Sequence, residues 1–219
     1  MSTSETPRMP VPKQELNGLL VLGFGGHARS VADVALSMGI QELVFVDPQA
    51  RSDETFAGHS VVVEAEDLPR DRFMAFPASG KGSLREVQMR DASLEIATLI
   101  SPRASVGPEA SISAGAFVGH GAHVGPQSAI GRGVILNTHC VVEHECVVGH
   151  FSHVSVNATM AGRSRLGSRS MLGAGAVIID GVTVCDDVVI GAGAVVIEDI
   201  SVPGTYVGVP ARRIGGEDA

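Results

Sequence analysis

The chain has 219 residues, a formal net charge of −8 and three cysteines, which allows one or two domains. Its acidic balance argues against a nucleic-acid surface, and no apolar run is long enough to cross a bilayer. An odd number of cysteines fits free thiols in a reducing compartment better than a disulfide framework. We therefore expect a cytoplasmic protein without membrane insertion.

The first part of the chain predicts a flexible leader over residues 1–17 and a small α/β domain over residues 18–100. The run LLVLG indicates a buried strand, FGGHA a tight turn, and the stretch from about Ala28 to Met38 a helix. ELVFVD predicts a second strand that ends at Asp47, and VVVEA and FMAF predict further strands. A polar helix is expected near Ser83 to Arg90. This order of elements is typical of a βαβ-type unit.

A glycine-rich turn joins the first strand to the first helix. Gly25, Gly26 and His27 lie at the predicted helix N-terminus, where free N–H groups and the helix dipole favour a phosphate or another anion. Asp47 follows the next strand, where a carboxylate can accept hydrogen bonds from a ribose or a base. GFGGHA also meets a relaxed dinucleotide fingerprint, although the domain is short for a nicotinamide enzyme. The turn favours a nucleotide-bearing ligand, with NAD and a purely structural turn as alternatives.

A six-residue repeat runs without a break from Val106 to Ile200. Its first position is aliphatic and its fifth is small or β-branched, a register that neither a helix nor a simple strand alternation produces. Three hexads close one triangular coil of 18 residues, so the repeat predicts a β-helix of about five coils over residues 101–204, followed by a tail at 205–219. Glycine recurs at the second position, which suits close backbone approach. The alternative is an unstructured low-complexity stretch.

Six of the eight histidines lie in this repeat, and none occupies an inward position. We expect a typical one to be a solvated surface residue. His144 differs because Glu143 and Glu145 flank it, and a carboxylate orients an imidazole and makes it a better general base. The spacing leaves open which glutamate reaches the ring. A zinc site of the γ-carbonic anhydrase type, built on His139 and His144, is a further alternative, although no third histidine lies near Arg103.

The hexads, the turn GFGGHA, the central stretch ILNTHCVVEHECVVGHFSHVSVNATMAG and the tail VGVPARRI together resemble one family over about residues 18–214. It is the bacterial nucleotide-sugar N-acetyltransferases with a left-handed β-helix, the group of the bacillosamine-pathway acetyltransferase, perosamine N-acetyltransferase and their sialic acid O-acetyltransferase relatives. The resemblance implies a homotrimer with acetyl-CoA between neighbouring subunits and no metal. It implies acetylation of the C4 amine of a UDP- or GDP-linked 4-amino-4,6-dideoxy sugar for lipopolysaccharide O-antigen synthesis. O-acetylation of a sialic acid or another sugar hydroxyl, and a non-enzymatic scaffold that senses a nucleotide sugar, are the alternatives.

The same resemblance implies roles for individual residues. His144 matches the base, Glu145 the group that orients it, and Asn137 a residue beside the reacting groups. The positions that match the acetyl-CoA groove are His153, Gly162, Ala174 and Ala192. The positions expected to bind the sugar nucleotide are Gly25, Gly26, His27, Asp47, Pro48, Ser79 and Lys81. Ser79 and Lys81 lie in FPASGKGSLR, which departs from the family's usual turn, and this departure favours GDP-perosamine over a UDP-linked sugar.

Overall fold

The computed structural model describes residues 17–65 and 68–215, so almost all of the predicted leader at 1–17 lies outside the described residues. These ranges form an α/β front domain followed by a β-solenoid. No helix within them is long and apolar enough to span a membrane.

The front domain is a five-stranded sheet with two helices. Its elements are β1 (Gly18–Leu22), α1 (Gly26–Ser37), β2 (Glu42–Val46), β3 (Thr55–Phe56), β4 (His59–Val62), β5 (Phe73–Pro77) and α2 (Gly82–Asp91). The strand order is β3-β4-β2-β1-β5, with β3 antiparallel to β4 and the other pairs parallel. The sequence predicted all of these elements except β3, which is too short to show a periodic pattern.

The solenoid is a parallel β-helix with three faces, which confirms the fold predicted from the hexads. Face 1 consists of β6 (Leu99–Ile100), β9 (Phe117–Val118), β12 (Ile135–Leu136), β15 (His153–Val154), β18 (Met171–Leu172), β21 (Val188–Ile190), β23 (Gly204–Val207) and the antiparallel end strand β24 (Arg212–Ile214). Face 2 consists of β7 (Ser105–Val106), β10 (His123–Val124), β13 (Val141–Val142), β16 (Thr159–Met160), β19 (Val177–Ile178) and β22 (Val195–Val196). Face 3 consists of β8 (Ser111–Ile112), β11 (Ala129–Ile130), β14 (Val147–Val148), β17 (Arg165–Leu166) and β20 (Thr183–Val184).

Short turns between the strands form three edges of the prism. We call them edge 1–2, which includes residues 137–140, edge 2–3, which includes residues 143–146, and edge 3–1, which includes residues 149–152. Along each face a strand pairs in parallel with the strand 18 residues later, as in the pairing of Leu136 with Val154. Each coil therefore stacks its inward aliphatic residue on that of the next coil, and these residues form one continuous core.

Two positions in each turn explain the glycines of the repeat. A Cβ on Gly125, at the second hexad position, would lie 2.5 Å from the backbone nitrogen of His144 in the next coil. The fourth hexad position has a left-handed backbone instead, with φ of 59° at Glu145 and 68° at Gly121. Glycine at the second position is therefore required by close packing, whereas the fourth position tolerates other residues at some conformational cost.

The front domain packs on the outward side of face 1. Leu99, Phe117 and Ile135 point away from the prism, and they are buried in a core shared with α1 and the front sheet. The same ladder continues with His153 and then Met171, whose side chain is exposed. His153 therefore marks the boundary between the covered and the open part of face 1.

We predict that Leu166→Ala lowers the free energy of unfolding by about 2–5 kcal/mol, because it leaves a cavity between stacked coils. Leu166 is 1% exposed. Arg165→Ala is the matched control, since Arg165 is exposed on the same strand, and its effect should stay within about 0.5 kcal/mol. Chemical denaturation at one protein concentration measures both, and equal losses would contradict the inward and outward assignment.

Candidate active site

His144 and Glu145 form a pair on edge 2–3 of the solenoid. The imidazole Nδ1 lies 3.0 Å from Glu145 Oε2 and donates a hydrogen bond to it. Glu143 does not reach the ring, since its carboxylate lies 3.4 Å from the backbone nitrogen of His144. The left-handed backbone at Glu145 turns its side chain back toward the preceding residue. This arrangement protonates Nδ1 and leaves Nε2 with a free lone pair, as a general base requires.

Gly162 provides the space around that lone pair. It lies in the turn 18 residues after His144, one coil along the same edge, and a Cβ there would lie 2.5 Å from His144 Nε2. Asp180 stands beside it one coil further on and is held by a bidentate contact with Arg163 at 2.7 and 2.9 Å. The side chain of His144 is 44% exposed. Its Nε2 can therefore be approached from outside the prism.

Edge 1–2 holds a second group of predicted residues. The amide nitrogen of Asn137 lies 3.2 Å from His153 Nε2 and donates a hydrogen bond to it. Ala174 and Ala192 follow along this edge, with Ala192 exposed. The small side chains of Ala174 and Ala192 leave a shallow groove that runs away from the Asn137–His153 pair.

One chain does not bring these two groups together. His144, Glu145 and Gly162 lie on edge 2–3, whereas Asn137 and the two alanines lie on edge 1–2, and face 2 separates the two edges. The six-residue period explains the separation, because residues one hexad apart fall on consecutive edges. A reaction that uses both groups requires edges of two copies of the chain.

The same separation applies to the two histidines that suggested a zinc site. His139 lies on edge 1–2 and His144 on edge 2–3, so the pair does not converge within one chain. In residues 17–65 and 68–215, no three side chains of His, Cys, Asp or Glu are grouped as metal ligands.

The turns after β1, β2 and β5 meet at the carboxyl edge of the front sheet. Gly25 is the N-cap of α1 and Lys81 that of α2, and neither helix has a side-chain cap or an acidic residue in its first turn. Both helix ends therefore present free N–H groups and positive dipole ends to an anion. The carboxylate of Asp47 accepts hydrogen bonds from the backbone amides of Phe24 at 2.8 Å and Gln49 at 2.9 Å. Each of its oxygens keeps a further lone pair for a ligand.

A cavity of about 350 Å³ opens at this carboxyl edge, on the sheet face opposite α1. Leu20, Leu22 and Val87 line its floor and one wall, and Pro48 and Gln88 stand at its mouth. The walls are mostly apolar with a few polar groups, which is the usual character of a small-molecule site. Pro48, predicted to contact substrate, thus lines an available pocket.

The expectation that solenoid histidines are solvated is wrong for His120 and His153, because the front domain covers part of face 1. His120 Nδ1 lies 2.6 Å from Ser101 Oγ, and its Nε2 lies 3.2 Å from Asp33 Oδ2 on α1. Burial lowers the pKa of His153 to about 4, with a further contribution from the charge of Arg85.

His27 lies opposite His153 across this interface, with ring centroids 6.5 Å apart, and packs edge-on against Phe117 at 4.9 Å. Burial lowers the pKa of His27 to about 3, helped by the charges of His153 and Arg85. Its Nε2 is buried without a hydrogen-bond partner among the described residues. His27 and His153 are therefore neutral at pH 7, and they can exchange hydrogen bonds with a ligand but carry no charge to it.

Sequence reasoning missed two residues of α2, Arg85 and Gln88, that contact the loops of this region. Arg85 is fully buried and binds the carbonyls of Ser79 and Gly80, each at 3.0 Å. Gln88 Nε2 donates to the carbonyl of Leu22 at 2.7 Å. A polar helix with no apolar stripe offered no signal for either role, apart from the four-residue spacing of buried Arg85 and Met89.

Comparison with known proteins gives matches over both domains. A family model described as the PglD N-terminal domain matches residues 18–91, and one described as bacterial transferase hexapeptide (six repeats) matches residues 163–198. The acetyltransferase domain of PglB from Neisseria gonorrhoeae FA1090 is 33% identical, with a TM-score of 0.84 over 90% of this chain and 100% of that one. The same domain in complex with acetyl coenzyme A gives 33%, 0.85, 91% and 100%.

PerB from Caulobacter crescentus, in complex with CoA and GDP-perosamine, is 32% identical, with a TM-score of 0.80 over 90% of this chain and 97% of that one. No curated protein sequence matches the chain. The matched structures span both domains, so the similarity includes the way in which the front domain and the solenoid are joined.

We predict that acid destabilises the protein through His27 and His153. Their folded pKa values lie near 3 and 4, below the ordinary 6.5, so between these limits the unfolded state binds more protons. The stabilisation they provide is complete above pH 6.5 and is lost as the pH falls toward 4, by up to about 1.4 kcal/mol per pH unit for each group. Urea unfolding between pH 4.5 and 7 measures this slope.

In this experiment His27→Gln should flatten the dependence on pH, because it removes one of the two groups. Phe117→Leu is the control, since it removes the ring that packs on His27 and leaves both imidazoles in place. It should lower stability equally at every pH. A slope unchanged by His27→Gln would show that this imidazole does not titrate as described.

Proposed function

The chain belongs to the hexapeptide-repeat acetyltransferases with a PglD-type N-terminal domain, and from that premise we propose that it acetylates the C4 amine of a nucleotide-linked 4-amino-4,6-dideoxy sugar, with His144 as general base. Acetyl-CoA is the acetyl donor, as in the matched structures that contain acetyl-CoA or CoA. The observation that carries the proposal is the hydrogen bond of 3.0 Å between His144 Nδ1 and Glu145, with Nε2 facing the space over Gly162.

The proposed reaction is a direct transfer. The sugar amine attacks the thioester carbonyl carbon of acetyl-CoA while His144 Nε2 takes a proton from the nitrogen. The C–S bond then breaks, and the CoA thiolate leaves with a proton returned from the imidazolium. Glu145 keeps the ring in the required tautomer and stabilises the imidazolium while it carries the extra proton. The main remaining contribution is alignment of amine and thioester, which two facing protein edges provide.

We propose that the active unit is a homotrimer in which edge 2–3 of one subunit faces edge 1–2 of the next. Support comes from the separation of the two residue groups within one chain. His144, Glu145 and Gly162 then form one wall of the acetyl-CoA cleft, and Ala174 and Ala192 line the other. Asn137 and His153 lie at the end of the second wall that adjoins the front domain, where the sugar arrives.

The sugar nucleotide is proposed to bind at the carboxyl edge of the front sheet. Gly25, Gly26 and His27 at α1, with Ser79 and Lys81 at α2, supply N–H groups and positive charge for the diphosphate. Asp47 and Pro48 border the apolar cavity in which the base is expected to lie. GDP-perosamine is the favoured acceptor, supported by the departure of the Ser79–Lys81 loop from the common pattern and by the ligand of PerB. Both substrates belong to the cytoplasm, where we place the enzyme.

We predict that His144→Asn lowers kcat by about 10²- to 10⁴-fold, because loss of a general base typically has this effect. The deficit should shrink at high pH, where a larger fraction of the amine is unprotonated. His150→Asn is the matched control, since His150 is an exposed imidazole on edge 3–1 and its loss should leave the rate near that of the unmodified protein. CoA thiol release with GDP-perosamine measures both rates.

The same assay, run with UDP-linked 4-amino sugars and with sugar alcohols, separates the finer alternatives. Release only with an amine acceptor supports N-acetylation, and release only with a hydroxyl acceptor indicates an O-acetyltransferase. A near-normal rate for His144→Asn with every acceptor would reject His144 as the base.

We predict that two inactive variants restore activity when their subunits are mixed. His144→Asn removes the base on edge 2–3, and Ala192→Glu places bulk and negative charge in the acetyl-CoA groove on edge 1–2. If each site combines edges of two neighbours, random mixing leaves about a quarter of the sites intact. Co-expressed, differently tagged variants test this, with sedimentation expected to give three times the chain mass of 22.6 kDa. A mixture as inactive as its components would place the whole site within one chain.

A further inference from the structure

Arg85 on α2 is a buried cation whose hydrogen bonds all go to backbone carbonyls. Its Nε donates to Gly133 O at 2.7 Å. One terminal nitrogen donates to Ser79 O and Gly80 O, each at 3.0 Å. The other donates to Phe151 O at 2.7 Å and Ser152 O at 3.1 Å. Five acceptors around one planar group hold that group in one orientation.

These carbonyls belong to two parts of the molecule. Ser79 and Gly80 form the turn after β5, one of the loops at the carboxyl edge of the front sheet. Gly133, Phe151 and Ser152 lie on edge 3–1 of the solenoid, and Ser152 directly precedes His153. Arg85 therefore joins the loop proposed to bind the diphosphate to the part of the solenoid that carries His153 toward the acetyl-CoA cleft.

The approach of α2 to the solenoid is as close as the backbone allows. A Cβ on Gly82, the first residue of the helix, would overlap with the carbonyl of Phe151. This proximity brings the Arg85 guanidinium within reach of both sets of carbonyls. The first turn of α2 is thus fixed on edge 3–1 before any ligand binds.

Gln88, one turn further along α2, holds the same loop from the other side. Its amide nitrogen donates to Leu22 O at the end of β1, and its side-chain oxygen accepts from Ser79 N at 3.3 Å. The turn is therefore tied to β1 by Gln88 and to the solenoid by Arg85. Its own Ser79 Oγ accepts from Lys81 N at 3.2 Å.

The charge of Arg85 is not neutralised by protein. No carboxylate of the described residues forms an ion pair with it, and burial lowers its pKa to about 10, so it remains a cation at pH 7. Purely structural crosslinks between domains do not require a charge, and a buried cation is costly unless an anion approaches it. A diphosphate bound over the Ser79–Gly80 turn places its charge near this guanidinium.

We propose that Arg85 is a positioning residue that holds the Ser79–Gly80 turn against edge 3–1, so that the nucleotide-sugar loop is preorganised for the diphosphate. This inference rests on the proposed function and assigns part of its substrate selectivity to a residue that does not touch the sugar. By occupying the carbonyls of Ser79 and Gly80, Arg85 leaves the N–H groups of the turn and of the α2 N-terminus facing the ligand.

Calorimetry of the full-length protein with UDP, GDP and CoA tests this proposal. Arg85→Met keeps most of the side-chain length but has no donors, and it should weaken binding of the preferred nucleoside diphosphate by at least about tenfold. CoA binding should change by less than about twofold, since acetyl-CoA lies on other edges of the prism. Arg90→Met is the matched control, because Arg90 is exposed on the same helix and pairs only with its neighbour Asp91.

Turnover and hydrogen exchange provide readouts that lost packing alone would not move. With a nucleotide-linked amino sugar, the KM for the sugar should rise in Arg85→Met while the KM for acetyl-CoA stays unchanged. Amide exchange at residues 79–81 should accelerate, whereas exchange in β1 and α1 should not. If Arg85→Met does not fold, Arg85→Lys replaces it, because an ammonium cannot reach all five carbonyls and should give a smaller effect of the same pattern.

The possible outcomes separate this proposal from the one on which it rests. Equal nucleotide affinity in the variant and the unmodified protein overturns the positioning role and leaves the acetyltransferase assignment intact. An equal loss of nucleotide and CoA affinity also overturns it, since it indicates general loosening. If the unmodified protein binds neither nucleotide, the proposed function fails, and this inference fails with it.

Discussion

Every chemical group of the solenoid is placed by one constraint, the hydrogen-bonded register of 18 residues between successive coils. The register stacks Leu136 under Val154 inside the prism, and by the same rule it places Gly162 beside His144 on the outside. A change of one residue in the turn before Gly162 would bring a different side chain against the imidazole. The free space at Nε2 is therefore a property of the coil length as much as of the glycine itself.

The same register determines what lies together along an edge and what is kept apart. Ala174 and Ala192 are one coil apart on edge 1–2, so they form a continuous groove, whereas His144 lies one hexad away from Asn137 and faces in another direction. A triangular prism cannot bring two of its own edges together. An active site that needs a base from one edge and a groove from another is a reason for such prisms to associate, because the partner supplies the missing wall.

The sequence allowed prediction of the fold and of most residues that line the edges, because both depend on a short period that is visible without partners. The hexads predict which side chains point inward, but they do not predict which outward side chains a second domain will cover. Phe117 and Ile135 are buried under α1, and only their apolar character hinted at this. Similarly, the spacing of Glu143, His144 and Glu145 did not determine the hydrogen bond, which depends on the left-handed backbone at Glu145. Arg85 was invisible because its partners are main-chain carbonyls, which are the same for every sequence.

Docking of the front domain also divides the histidines by environment. His27 and His153 are desolvated at the interface, and their low pKa values make them weak proton acceptors but good neutral hydrogen-bonding groups. At pKa values near 3 and 4, either imidazole holds a proton far less well than an ordinary one, so neither can serve efficiently as a base near neutral pH. His144 keeps contact with solvent and has a carboxylate to support its protonated form. The interface therefore leaves His144 as the histidine fit to accept the proton and assigns to His153 and Asn137 the task of aligning the groups that react.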